Sequence, residues 1–338
     1  MSRVPIPPRR LRRALSPITV GLVVLLALGC AVGAVVGLVP AAFRRTRLLR
    51  FTAFGCAYCV IELMALGAAG FAWLRRPHAG SFQVGSDEAW TAANRRILAT
   101  ALRRILAVGR SLVGFEVVLA AAPEPEQLTA PAPLLVLARH AGPGDSFALA
   151  HLLLNRYGRG VRIVLKEALV VDPALDVLLH RLGSCFLPAG ADDREERMAD
   201  TARRVGPGDT LLLFPEGSNW TPGRRLRAIH RLRSGGQQRA ARAAALMEHV
   251  LPPRPAGLDA VLSSRPDLAV VVVAHAGLDE LVTPRAIWAA VPFRQPMTVR
   301  AWPVPPPPPP GPARRDWLEA EWAVVDEWVA GQRAAGPL

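Results

Sequence analysis

Two apolar runs constrain this chain before anything else. Residues 18–39 are 22 positions without a charge, and residues 51–74 are 24 positions in which only Glu62 is charged. As a helix the first run reaches about 33 Å, enough for the hydrocarbon core of a bilayer. Backbone polar groups in lipid must be satisfied within the segment, which makes helix the expected conformation for both runs. A signal sequence is the rival reading of the first run, because Arg9, Arg10, Arg12 and Arg13 precede it. Its length and the second run close behind argue against that. Residues 1–76 therefore read as a basic segment followed by a two-helix membrane hairpin. Gly29, Gly33 and Gly37 recur at helical spacing and would allow close helix approach.

The connector carries Arg44, Arg45, Arg47 and Arg50, whereas Arg75, Arg76, Arg95, Arg96, Arg103 and Arg104 follow the second run. The two flanks together outweigh the connector, which puts both ends on the cytoplasmic side. A hairpin that dips into one leaflet would remove the conflict with the basic connector. Either way the expected location is a membrane, with the remaining chain cytoplasmic.

A net charge of +14 calls for an acidic partner. Mean hydropathy of +0.23 favours membrane lipid. No zinc-finger spacing or aromatic ribonucleoprotein string supports nucleic acid. Cys30, Cys56 and Cys59 lie in the apolar runs and Cys185 in a later one, so no disulfide framework is expected. The remaining histidines show no metal-ligand spacing, and no metal is expected.

Residues 77–87 read as a linker. A basic amphipathic helix follows from 88 to about 114, suited either to an anionic bilayer or to packing on a core; together they make a 77–113 segment. From 114 to 303 the pattern alternates strands and helices. Strands are expected at 115–120, 134–138, 161–165, 184–187, 210–214, 268–275 and 297–303. Helices are expected at 145–157, 173–182, 192–205, 237–249 and 256–262. Continuous apolar strands between helices predict an α/β fold with a mostly parallel sheet covered by helices. Residues 304–338 read as a Pro-rich spacer and a final helix near 313–333.

Chemistry concentrates at two strand ends. Arg139-His140-Ala141-Gly142-Pro143-Gly144-Asp145 follows the strand at 134–138, and Phe214-Pro215-Glu216-Gly217 follows the one at 210–214. A strand–loop–helix exposes side chains at the carboxyl edge of a sheet. Folding of the first loop would bring Asp145 to His140, fix the imidazole tautomer and leave the other ring nitrogen as a general base. Glu216 would accept from a substrate hydroxyl or from a neighbouring donor. His275 ends a strand and could approach the same edge.

His-x4-Asp followed by Phe-Pro-Glu-Gly resembles the phospholipid and glycerol acyltransferase family over about residues 114–280. Pro252-Pro253-Arg254-Pro255-Ala256-Gly257 is similar to a string of its lysophosphatidate and lysocardiolipin branch. The resemblance implies transfer of an acyl group from acyl-CoA, or acyl carrier protein, to the hydroxyl of a lysophospholipid acceptor, without a cofactor. It implies His140 as base, Asp145 as its partner, and Phe214, Pro215, Glu216 and Gly217 as part of the acceptor site. It places Lys166 near an acceptor phosphate. Arg224 and Arg225, from the acid-free basic stretch 222–242, are further phosphate candidates. Two alternatives stay open: a non-phosphate acceptor such as a glycolipid, and a non-catalytic membrane-anchored lipid-binding protein.

Overall fold

The computed structural model describes residues 9–75, 88–142, 144–167, 172–188, 190 and 192–334. The predicted linker at 77–87 and Pro143 lie outside them. The chain divides into two compact units, one of residues 1–115 with 165–191 and one of 116–164 with 192–338. The linear segments 77–113, 114–303 and 304–338 do not map onto this division, because 165–191 goes with the N-terminal helices and the C-terminal helix goes with the sheet.

In the first unit, α1 (Arg9–Ala42) and α2 (Arg47–Leu74) pack as antiparallel neighbours. Both are long and apolar enough to cross a membrane, with mean hydropathy of 2.8 in an 18-residue window within Pro17–Ala42 and 1.7 in one within Arg47–Leu74. Gly33 and Gly37 allow the approach: an added Cβ would lie 2.8 Å from Thr52 Cγ2 and 2.8 Å from the Leu49 backbone, respectively. Gly29 meets nothing within 4 Å, so the glycine contact is two residues long, not three. α3 (Glu88–Val108) buries Leu98, Leu102 and Asn94, packs on α2, and ends in a wider turn closed by Gly114 at φ +76°. α5 (Pro173–Arg181) completes the unit; Asp172 caps it by accepting the Leu175 N–H at 2.9 Å. Glu62 of α2 is buried in this unit, with its Oε1 lacking a hydrogen-bond partner. Tyr58 donates to Asp172 at 2.5 Å, and Arg181 to the Ala69 carbonyl at 2.8 Å.

Seven strands form one sheet in the order β1-β7-β6-β2-β5-β3-β4, with β1 at Val117–Leu119, β2 at Leu134–Ala138, β3 at Gly160–Lys166, β4 at Cys185–Leu187, β5 at Asp209–Leu213, β6 at Ala269–Ala276 and β7 at Met297–Pro303. β2 lies in parallel between β5 and β6, with Leu134 opposite both Thr210 and Ala269. β2 and β5 are buried at every position, as strands covered on both faces must be. β7 runs antiparallel to β6 and parallel to β1. The sheet is mostly parallel, as the alternating pattern predicts, with one reversed strand.

The sheet's helices include α4 (Asp145–His151), α6 (Arg194–Arg203), α8 (Gln238–Leu246), α9 (Pro255–Ser264) and α11 (Pro312–Ala334). α11 buries Leu318, Trp322, Val325 and Val329 and is part of the core. The acid-free basic stretch 222–242 is mostly helical. α7 (Pro222–Ser234) occupies most of it, started by Thr221, which accepts the Arg224 N–H at 3.1 Å, and by Pro222 in the first turn. α10 (Pro284–Ala290), also unread in the sequence, starts the same way at Thr283 and Pro284.

Candidate active site

The two strings meet in the second unit because β2 and β5 are parallel neighbours in register. Leu137 pairs with Leu213, so both strands deliver their following residues to the same carboxyl edge. Gly144, at φ +90°, turns the chain into α4 and returns Asp145 toward His140.

His140 Nδ1 lies 2.8 Å from Asp145 Oδ2. The same oxygen accepts the N–H groups of Ala141 at 3.0 Å and Gly142 at 3.3 Å. Oδ1 accepts the Ser146 amide at 2.6 Å and its hydroxyl at 3.1 Å. Burial alone would raise Asp145, but hydrogen bonds and charge from His140 and His275 outweigh it and hold the carboxyl well below the usual carboxylate range. An ionised Asp145 fixes the proton on Nδ1 and leaves Nε2 to take a proton. The His140 side chain is 21% exposed, against 2% for Asp145, so the imidazole is reachable and its partner is enclosed.

The backbone of His140 is held on both sides. Its N–H donates to Glu216 Oε1 at 3.2 Å, and its carbonyl accepts the Trp220 N–H at 2.6 Å. Glu216 Oε2 accepts the Leu251 N–H at 3.0 Å. Glu216 is 1% exposed, and both oxygens face backbone amides; of the two roles read from the sequence, the neighbouring donor is the one the geometry occupies. Burial pushes its pKa up to about 7, against the pull of Arg139, the Leu251 and His140 amides, and His140 itself.

The other residues of the second string shape this edge. The Phe214 ring sits 4.6 Å from the His140 ring, tilted by 37°. The Pro215 carbonyl accepts the Arg254 N–H at 2.9 Å. Gly217 has φ +67°, a turn that favours glycine, and a Cβ there would come within 3.5 Å of the Arg254 guanidinium. Arg224 is exposed and donates to the Asn219 carbonyl at 3.0 Å. Arg225 is tied inward, donating to the carbonyls of Met247 at 2.5 Å and Ala245 at 2.8 Å. Lys166 is the exposed last residue of β3 and belongs to the first unit.

Sequence reasoning missed several supporting groups. Arg139 is fully buried and donates to the His249 and His275 carbonyls and to Asp279. Asp326 of α11 accepts the amides of Glu248 at 3.1 Å and His249 at 2.5 Å, fastening the segment that supplies Leu251. Their signal is spatial, since each partner is far away in sequence.

Residues 122–254, which contain His140, Asp145 and Phe214–Gly217, match the acyltransferase family model. Over this segment the chain is similar to acyltransferases, and the sequence resemblance agrees with that match. No curated protein sequence matches the chain. Among solved structures, the 1-acyl-sn-glycerophosphate (LPA) acyltransferase PlsC from Thermotoga maritima is similar in fold, with 17% identity and a TM-score of 0.52. The match covers 81% of this chain and 95% of that one. The paired His140 and Asp145 follow β2 at the carboxyl edge of the sheet.

Proposed function

We propose that this protein is an acyltransferase that moves an acyl group from acyl-CoA, or from acyl carrier protein, to the free hydroxyl of lysophosphatidate or another lysophospholipid. His140 Nε2 takes the hydroxyl proton as the oxygen attacks the thioester carbonyl. Asp145 holds the ring and stabilises the imidazolium that forms. The new C–O bond replaces the C–S bond, and the proton passes from His140 to the departing thiolate. The acyl group goes directly to the acceptor, with no covalent enzyme intermediate. The 2.8 Å contact between His140 and Asp145 within the segment similar to acyltransferases carries this reading.

The two apolar helices support an anchor in the membrane where the acceptor resides. The Arg distribution favours a cytoplasmic domain, with a spanning or a re-entrant hairpin. Acylation of a non-phosphate acceptor such as a glycolipid is the second reading. The inward commitment of Arg225 favours it, because that guanidinium is occupied by carbonyls. The intact His140–Asp145 pair argues against a purely lipid-binding protein. Membranes bearing the protein, given labelled acyl-CoA and a panel of lysolipids and glycolipids, provide the test. Labelled diacyl phospholipid supports the first reading and labelled glycolipid the second. Lipid binding without release of CoA would overturn both.

A further inference from the structure

His275 is the penultimate residue of β6 and is fully buried, one polar ring in a strand otherwise built from Val and Ala. Its Nε2 lies 2.9 Å from the Arg139 carbonyl oxygen and 3.5 Å from Asp145 Oδ2. Both neighbours are acceptors, so the hydrogen belongs on Nε2. Nδ1 is buried without a hydrogen-bond partner. An apolar side chain would fill a strand position without leaving that nitrogen unmet. The ring is retained at a cost, next to the proposed catalytic carboxylate.

Arg139 and His275 also lock each other. The Arg139 guanidinium donates to the His275 carbonyl at 2.6 Å, while the His275 ring donates to the Arg139 carbonyl. The Arg139 N–H donates to Val273 at 3.0 Å, continuing the β2–β6 ladder past its last paired residue. The peptide between Arg139 and His140 is therefore gripped at its carbonyl by His275 and at its N–H by Glu216.

We propose that His275 is a positioning residue for acyl transfer, setting both the Asp145 carboxylate and the peptide that carries His140. This rests on His140 being the base. His275 gives its Nε2–H to the Arg139 carbonyl, and the same nitrogen lies 3.5 Å from the Asp145 oxygen that receives His140 Nδ1, Ala141 and Gly142. The buried ring therefore walls the carboxylate on one side while it fixes the Arg139–His140 peptide on the other. The other charged or titratable groups facing this cluster are Glu216 beyond β5, Arg139 beyond β2 and Asp279 beyond β6.

The test uses full-length His275→Leu and His275→Gln in membranes, with acyl-CoA and the acceptor that the wild type uses. His275→Leu should lower kcat by up to about 100-fold, with acyl-CoA KM little changed. Its acid limb of kcat/KM should shift, because the Asp145–His140 contact is no longer held in register. His275→Gln, which keeps an N–H donor, should recover part of kcat and of the original acid limb. An unmoved acid limb, or Gln no better than Leu at matched unfolding temperature, overturns the positioning role. His140→Ala in the same assay separates the failures: activity there removes the base itself, whereas a dead His140→Ala with a wild-type pH profile in His275→Leu removes only His275.

Discussion

The Glu216 carboxylate accepts the N–H of His140 at 3.2 Å, joining two strand ends 76 residues apart. Its second oxygen holds Leu251, so one buried side chain sets the entry of the His140 loop and the segment after α8. Glutamine offers one acceptor oxygen where two amides need one each. Glu216→Gln should therefore cost about 1–3 kcal/mol of stability and lower kcat by displacing His140, with acceptor KM less affected. Unfolding temperature and steady-state kinetics check both.

The same residue gives a pH signature. Its native pKa of about 7 exceeds the ordinary 4.5, so between those values the native state holds a proton that the unfolded chain has released. The native state then binds more protons, and this contribution to stability declines as pH rises through the window. Glu216→Gln should flatten that decline. Asp145 acts oppositely: its depressed pKa contributes stability above the ordinary 3.8, lost as pH falls below it. Unfolding curves of the detergent-solubilised protein across this range check the signs.

Asp145→Asn keeps the shape of the carboxylate but presents an amide to the imidazole and its surrounding donors. The ring loses its fixed tautomer and the charge that stabilises the imidazolium. Activity should fall by about 10²–10⁴-fold, mostly in kcat. A variant within tenfold of wild type would show that the contact only shapes the loop.

Arg225 and Arg224 should separate. Arg225→Ala removes donors to the Met247 and Ala245 carbonyls, so the unfolding temperature should fall while acceptor KM stays within about twofold. Arg224→Ala should leave stability near wild type, because the residue is exposed and makes a single bond to Asn219. A raised KM only for phosphate-bearing acceptors would place Arg224 at the acceptor.

Much of this architecture is legible in the chain itself. The runs at 18–39 and 51–74 are long enough to dictate helices, and the strands at 134–138 and 210–214 are apolar at both faces. That pattern implies parallel neighbours whose ends share an edge. Strand direction is another matter: 297–303 reads as a strand, but nothing local reverses β7 against β6. α7 was hidden because its five arginines outweigh the Thr221 and Pro222 start signals. The supporting shell was hidden for a different reason. Arg139 and Asp279 are 140 residues apart, and neither looks unusual until the sheet brings them together.

Acyl transfer by full-length wild type and His140→Ala, at matched unfolding temperature, tests the central claim most directly. The account predicts that thiol release from acyl-CoA and formation of acylated acceptor both drop to background in His140→Ala, with membrane binding unchanged. Product formation at the wild-type rate would contradict it.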